Sequence, residues 1–195
     1  MAKRRSDNSV RIIAGQWRSR RLRVADLEGL RPTGDRVRET LFNWLSPHLP
    51  GARVLDAFSG SGALGFEALS RAAAHATLID NQAQCVATLE DNVRVLGANA
   101  TVIRADVRRW LRDSAVSAPF DVVFVDPPFA DDDIADLCTL LVDKGWLAPG
   151  AHVYVEQPMT AETHMPPALR LLKSRTAGAV TFALYLLVNE DETDE

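Results

Sequence analysis

The sequence contains few cysteines and no long hydrophobic run, and both features argue against particular classes of protein. Cys85 and Cys138 are the two cysteines among 195 residues, and neither has a Cys or His nearby at the spacing of metal ligands. A zinc knuckle and a disulfide framework are therefore not expected, and no metal site is predicted. The longest apolar stretch, residues 177–188, is shorter than the roughly 20 residues of a membrane-spanning helix. Because no apolar segment follows the basic residues 3–5, we expect no secretory signal and a cytoplasmic protein.

The composition is that of an ordinary globular protein, but the charge is unevenly distributed. With 47% hydrophobic and 25% charged residues, a chain of this length can bury a sizeable core as a single α/β domain. Residues 1–40 contain 11 basic and 5 acidic residues, a balance of +6, whereas the remaining residues contain 11 and 21, a balance of -10. Most of the N-terminal bases are arginines, and Trp17 lies among them. This pattern favours nucleic-acid binding over a merely solvated basic tail.

The N-terminal part divides into a tail, two short strands and a helix. Residues 1–9 are polar and charged, which predicts a disordered basic tail. Two short β-like runs at 10–13 and 21–24 predict a β-hairpin arm, which we place over residues 10–30. A helix is predicted to begin after a cap at Thr33 or Asp35 and to end at Pro47.

The rest of the chain alternates short buried runs with helical segments, a pattern typical of a parallel sheet covered on both faces. The predicted strands are 53–58, 76–80, 100–104, 120–126 and 151–156, and the predicted helices are 63–72, 82–96, 106–113 and 132–145. Two further β-like runs, 169–174 and 180–188, predict a terminal antiparallel hairpin, followed by an acidic tail over residues 189–195. We therefore predict an α/β protein with a Rossmann-like, mostly parallel seven-stranded sheet, an antiparallel C-terminal hairpin and an N-terminal β-hairpin arm.

A glycine-rich turn after the first long strand predicts a nucleotide-type site. Gly60, Gly62 and Gly65 have the spacing of the dinucleotide fingerprint, and Asp80 at the end of the next strand is positioned to bind a ribose. The fingerprint alone leaves an NAD-dependent oxidoreductase open as an alternative. Asp56, four residues before the first glycine, favours a ligand that carries an amino group or a positive charge, because its carboxylate would repel a pyrophosphate.

Acidic residues end several successive strands, and parallel strands place such ends along one crevice. They are Asp56, Asp80, Asp106 and Asp126. Asp106 is equally well explained as a helix cap. Asp126 begins the sequence Asp126-Pro127-Pro128-Phe129, in which the prolines donate no N–H, so carboxylate and carbonyl acceptors lie beside an aromatic ring. Such a set suits a planar ring bearing an NH2 group.

The residues that carry these motifs resemble the RsmD family of bacterial 16S rRNA guanine-N2 methyltransferases, a class that uses S-adenosylmethionine. The similar segments are 11–18, 31–44, 56–71 and 126–129, and the resemblance extends over about residues 10–188. It implies that residues 31–188 are the methyltransferase domain and that the partner is 16S rRNA within small-subunit particles. We expect a monomer, since nothing in the sequence suggests a larger assembly. A non-catalytic RNA-binding protein is a third interpretation, but that interpretation accounts for the arm alone.

The resemblance also implies roles for individual residues. The cofactor would be bound by Asp56, Phe58, Ser59, Gly60, Gly62, Asp80 and Asp106, and the reaction would take place at Asp126, Pro127, Pro128 and Phe129. The RNA contacts of the arm would be Arg11, Gln16, Trp17, Arg18, Arg20 and Arg21. Arg36 and Arg38, on the helix before the first long strand, would close the site or bind RNA phosphate, unless they simply belong to a solvated helix face.

Overall fold

A computed structural model of the chain describes residues 9–27, 34–128, 134–161 and 163–188. The strands are β1 (Ser9–Arg11), β2 (Arg21–Arg23), β3 (Arg53–Asp56), β4 (His75–Asp80), β5 (Ala100–Arg104), β6 (Phe120–Val125), β7 (Leu147–Pro158), β8 (Leu169–Ala177) and β9 (Val180–Leu187). The helices are α1 (Asp35–Leu45), α2 (Ala63–Ser70), α3 (Ala83–Leu96), α4 (Val107–Asp113) and α5 (Ile134–Asp143), and a 3-10 turn, Ser46–His48, follows α1. The two predicted tails and Phe129 lie outside the described residues, except that β1 already begins at Ser9.

Seven strands form one sheet in the order β5-β4-β3-β6-β7-β9-β8. The first five of these are parallel, whereas β9 is antiparallel to both β7 and β8. The chain moves outward from β3 through β4 to β5 and then returns to β6 on the other side of β3. This reversal opens a crevice beyond the carboxyl ends of β3 and β6, where open α/β sheets bind their ligands. The predicted sheet, including its antiparallel hairpin, is confirmed.

The central strands are apolar on both faces because helices cover both faces. On one face, an apolar cluster between the sheet and α1, α2 and α3 includes Phe124 and Tyr154 from the strands and Phe42 and Phe66 from the helices. The other face, packed by α4 and α5, includes Leu111, Leu137 and Val153 among others. Continuous apolar runs in the sequence therefore correspond to strands buried on both sides.

Several strand boundaries differ from the prediction, among them the end of β3 and the start of β7. β3 ends at Asp56 rather than at residue 58, because the chain turns there into the glycine-rich loop. β7 begins at Leu147 rather than at residue 151, since its pairing with β6 continues across an irregularity between the pairs Phe120–Leu147 and Val122–His152. Gly150, which has a φ of +73°, lies within this irregularity.

The N-terminal strands pair as an antiparallel hairpin that joins the main core. Val10 lies opposite Leu22, and Arg11 lies opposite Arg21. Ile12 and Leu22 belong to the same apolar cluster as the residues of α1 and α2. The hairpin therefore packs on the sheet's helical layer. Within the described part of the chain, no helix combines the length and apolar character that crossing a membrane requires.

Candidate active site

The loop between β3 and α2 lies across the ends of the neighbouring strands. Ala57 donates its N–H to the carbonyl of Phe124 at 3.0 Å, and Ser59 donates its N–H to the carbonyl of Ile79 at 2.9 Å. Gly62 precedes α2 with a φ of +75°, and a Cβ there would lie 2.6 Å from side-chain carbons of Leu89 and Phe66. The loop thus needs glycine for both its backbone conformation and its packing.

The third glycine of the motif has a packing role. A Cβ on Gly65 would lie 2.3 Å from the Leu78 side chain and 3.2 Å from Oδ2 of Asp56. The same Asp56 oxygen accepts a hydrogen bond from the Gly65 N–H at 3.0 Å. Gly65 therefore lets α2 approach β3 and β4 closely enough for its backbone to hold the Asp56 carboxylate.

Asp56 is a buried acid, only 2% exposed, at the tip of β3. Burial raises its pKa to about 7; the Gly65 hydrogen bond lowers the pKa, and the negative charge of Asp80 raises it further. The ionised form is therefore costly in the unliganded protein and is favoured by a bound positive charge. Phe58, in the same loop, is half-buried against the α4 and α5 side of the sheet.

The two acids that follow β4 and β5 also hold backbone groups. Asp80 accepts hydrogen bonds from the N–H groups of Gly60 at 2.9 Å and Gln82 at 2.8 Å, which ties the glycine-rich loop to the end of β4. Asp106 is exposed and caps α4 by accepting the Arg109 N–H at 2.8 Å. The cap interpretation of Asp106 is therefore confirmed, with one carboxylate oxygen engaged in it.

Asp126 immediately follows β6 at the same edge of the sheet. It is half-buried, Pro127 is buried and Pro128 is exposed. β6 and β7 pair in parallel with Val125 opposite Val155, and this register, continued by one residue, places Asp126 beside Glu156. The predicted acids of β3, β4 and β6 are thus brought together along the carboxyl edge.

Sequence reasoning missed two residues at this edge, Tyr154 and Glu156. The Tyr154 hydroxyl donates to Oε2 of Glu156 at 2.9 Å, and both side chains are buried. Burial raises the pKa of Glu156 and the pKa of Tyr154, and the charges of Glu156 and Asp126 raise that of Tyr154 further. The signal is present in the sequence, because His152, Tyr154 and Glu156 alternate with valines and Glu156 is the last residue of the predicted strand 151–156.

The arginines of the hairpin share its solvent side. Arg11, Arg21 and Arg23 alternate with the buried Val10 and Leu22 and are all exposed. Arg11 lies directly opposite Arg21 and forms an ion pair with Asp35 at 3.6 Å. Like charges at opposed positions of a β-ribbon repel each other, so an anionic ligand would stabilise this surface. Arg18 and Arg20, in the connecting loop, are also exposed.

The connecting loop of the hairpin is fastened to the end of α2. The N–H of Gln16 donates to the Ser70 carbonyl at 2.8 Å, and the N–H of Trp17 donates to Ser70 Oγ at 3.0 Å. The Gln16 side chain is exposed and donates to the Leu69 carbonyl at 3.3 Å, and the half-buried Trp17 packs against the core. Gln16 and Trp17 thus hold the loop in place.

Arg38 was expected on the protein surface, and that expectation is wrong. Its side chain is 0% exposed; Nη2 donates to the Arg11 carbonyl at 2.9 Å and to Oδ1 of Asp35 at 2.7 Å. The guanidinium also lies 3.8 Å from Oε2 of the buried Glu67. Arg38 is therefore inaccessible to RNA phosphate and does not belong to a solvated face. Arg36, two residues earlier, is exposed.

Glu67, which the sequence did not single out, is central to this buried ion-pair network. Its carboxylate accepts the N–H groups of Ile13 at 2.7 Å and Ala14 at 3.0 Å, together with the Arg71 Nε at 2.8 Å. Four donors or cations thus surround one buried acid, which satisfies its charge. The network joins the hairpin, α1 and α2.

Comparison with known proteins gives consistent matches along almost the whole chain. The family model described as Conserved hypothetical protein 95 matches residues 10–186. Ribosomal RNA small subunit methyltransferase D of Escherichia coli strain K12 is 46% identical over 187 residues, which cover 95% of this chain and 93% of that protein. The protein of the same name from Haemophilus influenzae is 44% identical over 179 residues, covering 90% of this chain and 93% of its own length. A solved structure, the putative methyltransferase yhhF from Escherichia coli, has a TM-score of 0.84 at 45% identity and covers 93% of this chain and 99% of that one.

Proposed function

Because this chain belongs to the RsmD family of methyltransferases, we propose that it transfers a methyl group from S-adenosylmethionine to the exocyclic N2 amino group of a guanine in 16S rRNA. The observation that carries the proposal is the position of Asp126. It follows β6 directly, at the strand-order reversal between β3 and β6, and the glycine-rich loop lies beside it. Acceptor groups for an amino substrate thus lie next to a nucleotide-type site.

The residues at the carboxyl edge fit S-adenosylmethionine better than a dinucleotide. The cofactor carries a positive sulfonium, an amino group and a ribose diol, and Asp56, Asp80 and Asp106 offer carboxylates to such groups. A dinucleotide would instead bring a pyrophosphate to the glycine-rich loop, beside the carboxylates of Asp56 and Asp80. The charge of the site therefore favours the methyltransferase over the NAD-dependent oxidoreductase.

We assign the cofactor contacts by position in the loop. Asp56 and the segment Phe58–Gly62 would hold the methionine part, Asp80 the ribose hydroxyls and Asp106 the adenine amino group. Asp80 already binds the Gly60 and Gln82 N–H groups, so ribose contact at this acid would be shared with the loop. When bound, the cofactor supplies an electrophilic methyl group.

Asp126 would prepare the guanine amino group for attack. The N2 lone pair is delocalised into the ring, and acceptors on the two amino hydrogens favour a more tetrahedral nitrogen with the lone pair free. We assign one acceptor to the Asp126 carboxylate and the other to the Pro127 carbonyl, with Phe129 stacking on the base. As nitrogen gains its fourth bond it becomes acidic, and one proton leaves to Asp126 or to water.

The proposal is tested by removing the carboxylate. Asp126→Asn keeps an acceptor oxygen but loses the charge, so single-turnover methyl transfer to rRNA should slow by about 10²-fold or more. Asp126→Ala should be slower still. Phe129→Ala should raise the Michaelis constant for RNA as well as slow transfer, since base stacking is worth about 1–3 kcal/mol. S-adenosylmethionine affinity, measured by titration calorimetry, should survive all three changes. If Asp126→Ala transferred methyl groups at nearly the wild-type rate, the reaction would have to take place at another site.

RNA binding by the hairpin is tested separately. Replacing Arg18, Arg20 and Arg21 by Ala should weaken RNA binding and flatten its salt dependence, because fewer counterions are released. Cofactor affinity should be unchanged. The matched control replaces Arg170, Lys173 and Arg175, which are exposed on β8, and removes the same charge. Equal weakening by both triple variants would attribute the effect to overall charge and contradict a specific role for the hairpin.

A further inference from the structure

The Tyr154–Glu156 pair at the end of β7 has no role in the reaction as described above. Glu156 is 8% exposed, and a carboxylate removed from water is costly unless charged or polar groups compensate it. Tyr154 donates one hydrogen bond, to Oε2. The bond orients the carboxylate but leaves its second oxygen available to another donor. A carboxylate held in this way at the carboxyl edge of the sheet can accept a hydrogen bond from a substrate.

The strand register places Glu156 and Asp126 next to each other. Phe124 lies opposite Tyr154 and Val125 opposite Val155 in the parallel pairing of β6 and β7. Neighbouring strands are about 4.8 Å apart, and side chains two residues apart share a face. Asp126 and Glu156 are therefore adjacent on the face that carries Phe124 and Tyr154. Tyr154 donates its hydroxyl to Glu156, and the charges of Glu156 and Asp126 both raise the pKa of Tyr154.

Two neighbouring carboxylates match the hydrogen-bonding edge of guanine. Guanine presents two adjacent donors there, the ring N1–H and the exocyclic N2 amino group. Adenine and cytosine each present a ring acceptor beside their amino group, and a carboxylate facing that ring nitrogen would be repelled. Single-stranded bases that are splayed out are commonly read at this edge by hydrogen bonds.

We propose that Glu156 is the residue that selects guanine, by accepting a hydrogen bond from the ring N1–H while Asp126 accepts from the N2 amino group. The proposal rests on the proposed function, because it needs guanine N2 as the methyl acceptor. Tyr154 is a positioning residue: its hydroxyl fixes Glu156 Oε2, so that the carboxylate meets the base in one orientation. Selection thus depends on a carboxylate whose conformation is set before the base arrives.

The test compares guanine with 2-aminopurine, which keeps the amino group but has no hydrogen on N1. Two otherwise identical rRNA substrates would carry either base at the methylated position. Methyl transfer would be measured under single-turnover conditions, and RNA dissociation constants would be measured without cofactor. The wild-type protein should favour guanine by about 10²-fold or more in rate, since a site built around a substrate N–H rejects the analogue that lacks it. It should also bind the guanine RNA more tightly.

Glu156→Ala should slow transfer to guanine while leaving transfer to 2-aminopurine near its wild-type rate, so that the preference falls to a few-fold. Glu156→Gln retains size and an acceptor for Tyr154, but with that oxygen held by the Tyr154 hydroxyl its amide NH2 faces the base, so the preference for guanine should be lost or reversed in a protein that still folds. Tyr154→Phe should reduce the preference without abolishing it. The matched change Asp126→Asn should slow both substrates by similar factors, because both carry the amino group.

Two outcomes would overturn the assignment of Glu156. Equal slowing of both substrates in Glu156→Gln would make Glu156 a structural residue, and equal transfer to both substrates by the wild-type protein would remove ring N1–H recognition altogether. Failure of the proposed function would look different, because the wild-type protein would then methylate neither substrate.

Discussion

Burial of one acid, Asp56, would link the proposed cofactor binding to stability. Its pKa in the folded protein is about 7, well above its ordinary value near 4, chiefly because burial disfavours the charged form. Between these two values the folded state binds more protons than the unfolded state. The free energy of unfolding therefore falls as pH rises from about 4 to about 7, by roughly 4 kcal/mol from this group. A positively charged ligand would recover part of that cost.

Asp56→Asn should therefore have opposite effects on stability and binding. The uncharged amide avoids the cost of ionisation, so the free energy of unfolding at pH 8 should rise by about 1–3 kcal/mol and change little at pH 4. Affinity for S-adenosylmethionine at pH 8 should fall at least about tenfold, as expected for loss of a charged hydrogen bond. Denaturant unfolding and titration calorimetry measure the two effects.

Asp121→Asn is the matched control for this change. Asp121 lies in the same sheet, at the opposite end of β6, and its carboxylate also accepts a backbone N–H, that of Arg53 at 2.7 Å. Its substitution should leave cofactor affinity unchanged. In the wild-type protein, cofactor affinity should decline as pH falls below 7 and Asp56 becomes protonated. An affinity that stays constant from pH 8 to pH 5 would show that the Asp56 charge plays no part in binding.

At the scale of elements, α2 joins the proposed cofactor site to the proposed RNA surface. Its first turn follows the glycine-rich loop, and Gly65 holds Asp56. Its later turns anchor the hairpin, where Glu67 accepts two backbone N–H groups of the chain after β1 and Ser70 Oγ donates to the Ala14 carbonyl at 2.5 Å. One short, almost fully buried helix thus sets the position of both regions.

Gly15→Ala should release the hairpin loop from α2. Gly15 has a φ of +81°, and a Cβ there would lie 1.8 Å from the Ser70 carbonyl oxygen. Because a backbone carbonyl of a buried helix cannot move aside easily, the loop has to shift. RNA affinity should fall several-fold and the free energy of unfolding should fall by about 2–4 kcal/mol, with cofactor affinity retained. Filter binding and denaturant unfolding measure these changes.

Gly178→Ala is the control for Gly15→Ala, because it introduces similar backbone strain without a steric clash. Gly178 lies in the turn between β8 and β9 with a φ of +61°, and a Cβ there would meet nothing within 4 Å. This variant should lose only about 1 kcal/mol of stability and bind RNA normally. If Gly15→Ala also bound RNA normally, docking of the loop on α2 would be irrelevant to RNA recognition.

At the scale of the whole molecule, the basic surface of the hairpin and the acidic carboxyl edge of the sheet have separate proposed roles. The full chain has a formal net charge of -4, so the proposed RNA binding would need a local basic surface, and the exposed arginines of the hairpin are such a surface. The carboxyl edge of the sheet is acidic and would repel phosphate. Under the proposed function, the RNA would present a single unpaired base to the acidic edge while its backbone contacts the basic surface.

This division predicts a preference for a folded substrate. A small-subunit particle holds the rRNA in one shape with the target base accessible, whereas free 16S rRNA samples many shapes and pairs its bases. Methyl incorporation, located by mass analysis of rRNA fragments, should be at least about tenfold faster on particles than on deproteinised 16S rRNA. Equal rates on the two substrates would reject this preference.

The order and type of the main elements and the place of the principal motif can be read from the residues alone. The periodicity of hydrophobic residues distinguishes a strand from a helix within a few residues. Glycine and proline affect only the local backbone, so the loop at 56–65 and the prolines at 127–128 can be recognised without knowledge of the fold. The parallel sheet follows from the alternation of strands and helices. Strand ends were less predictable, since β7 is extended by its pairing with β6.

Contacts between residues far apart in the sequence depend on the tertiary structure. Glu156 ends the strand predicted from the sequence, but its adjacency to Asp126 depends on β7 lying next to β6 in one particular register. Arg38 has the sequence context of a surface residue, yet it is buried because Glu67, 29 positions later, and the Arg11 carbonyl lie against it. Such neighbours are set by packing across the whole core, a long-range property that no local pattern of residues contains.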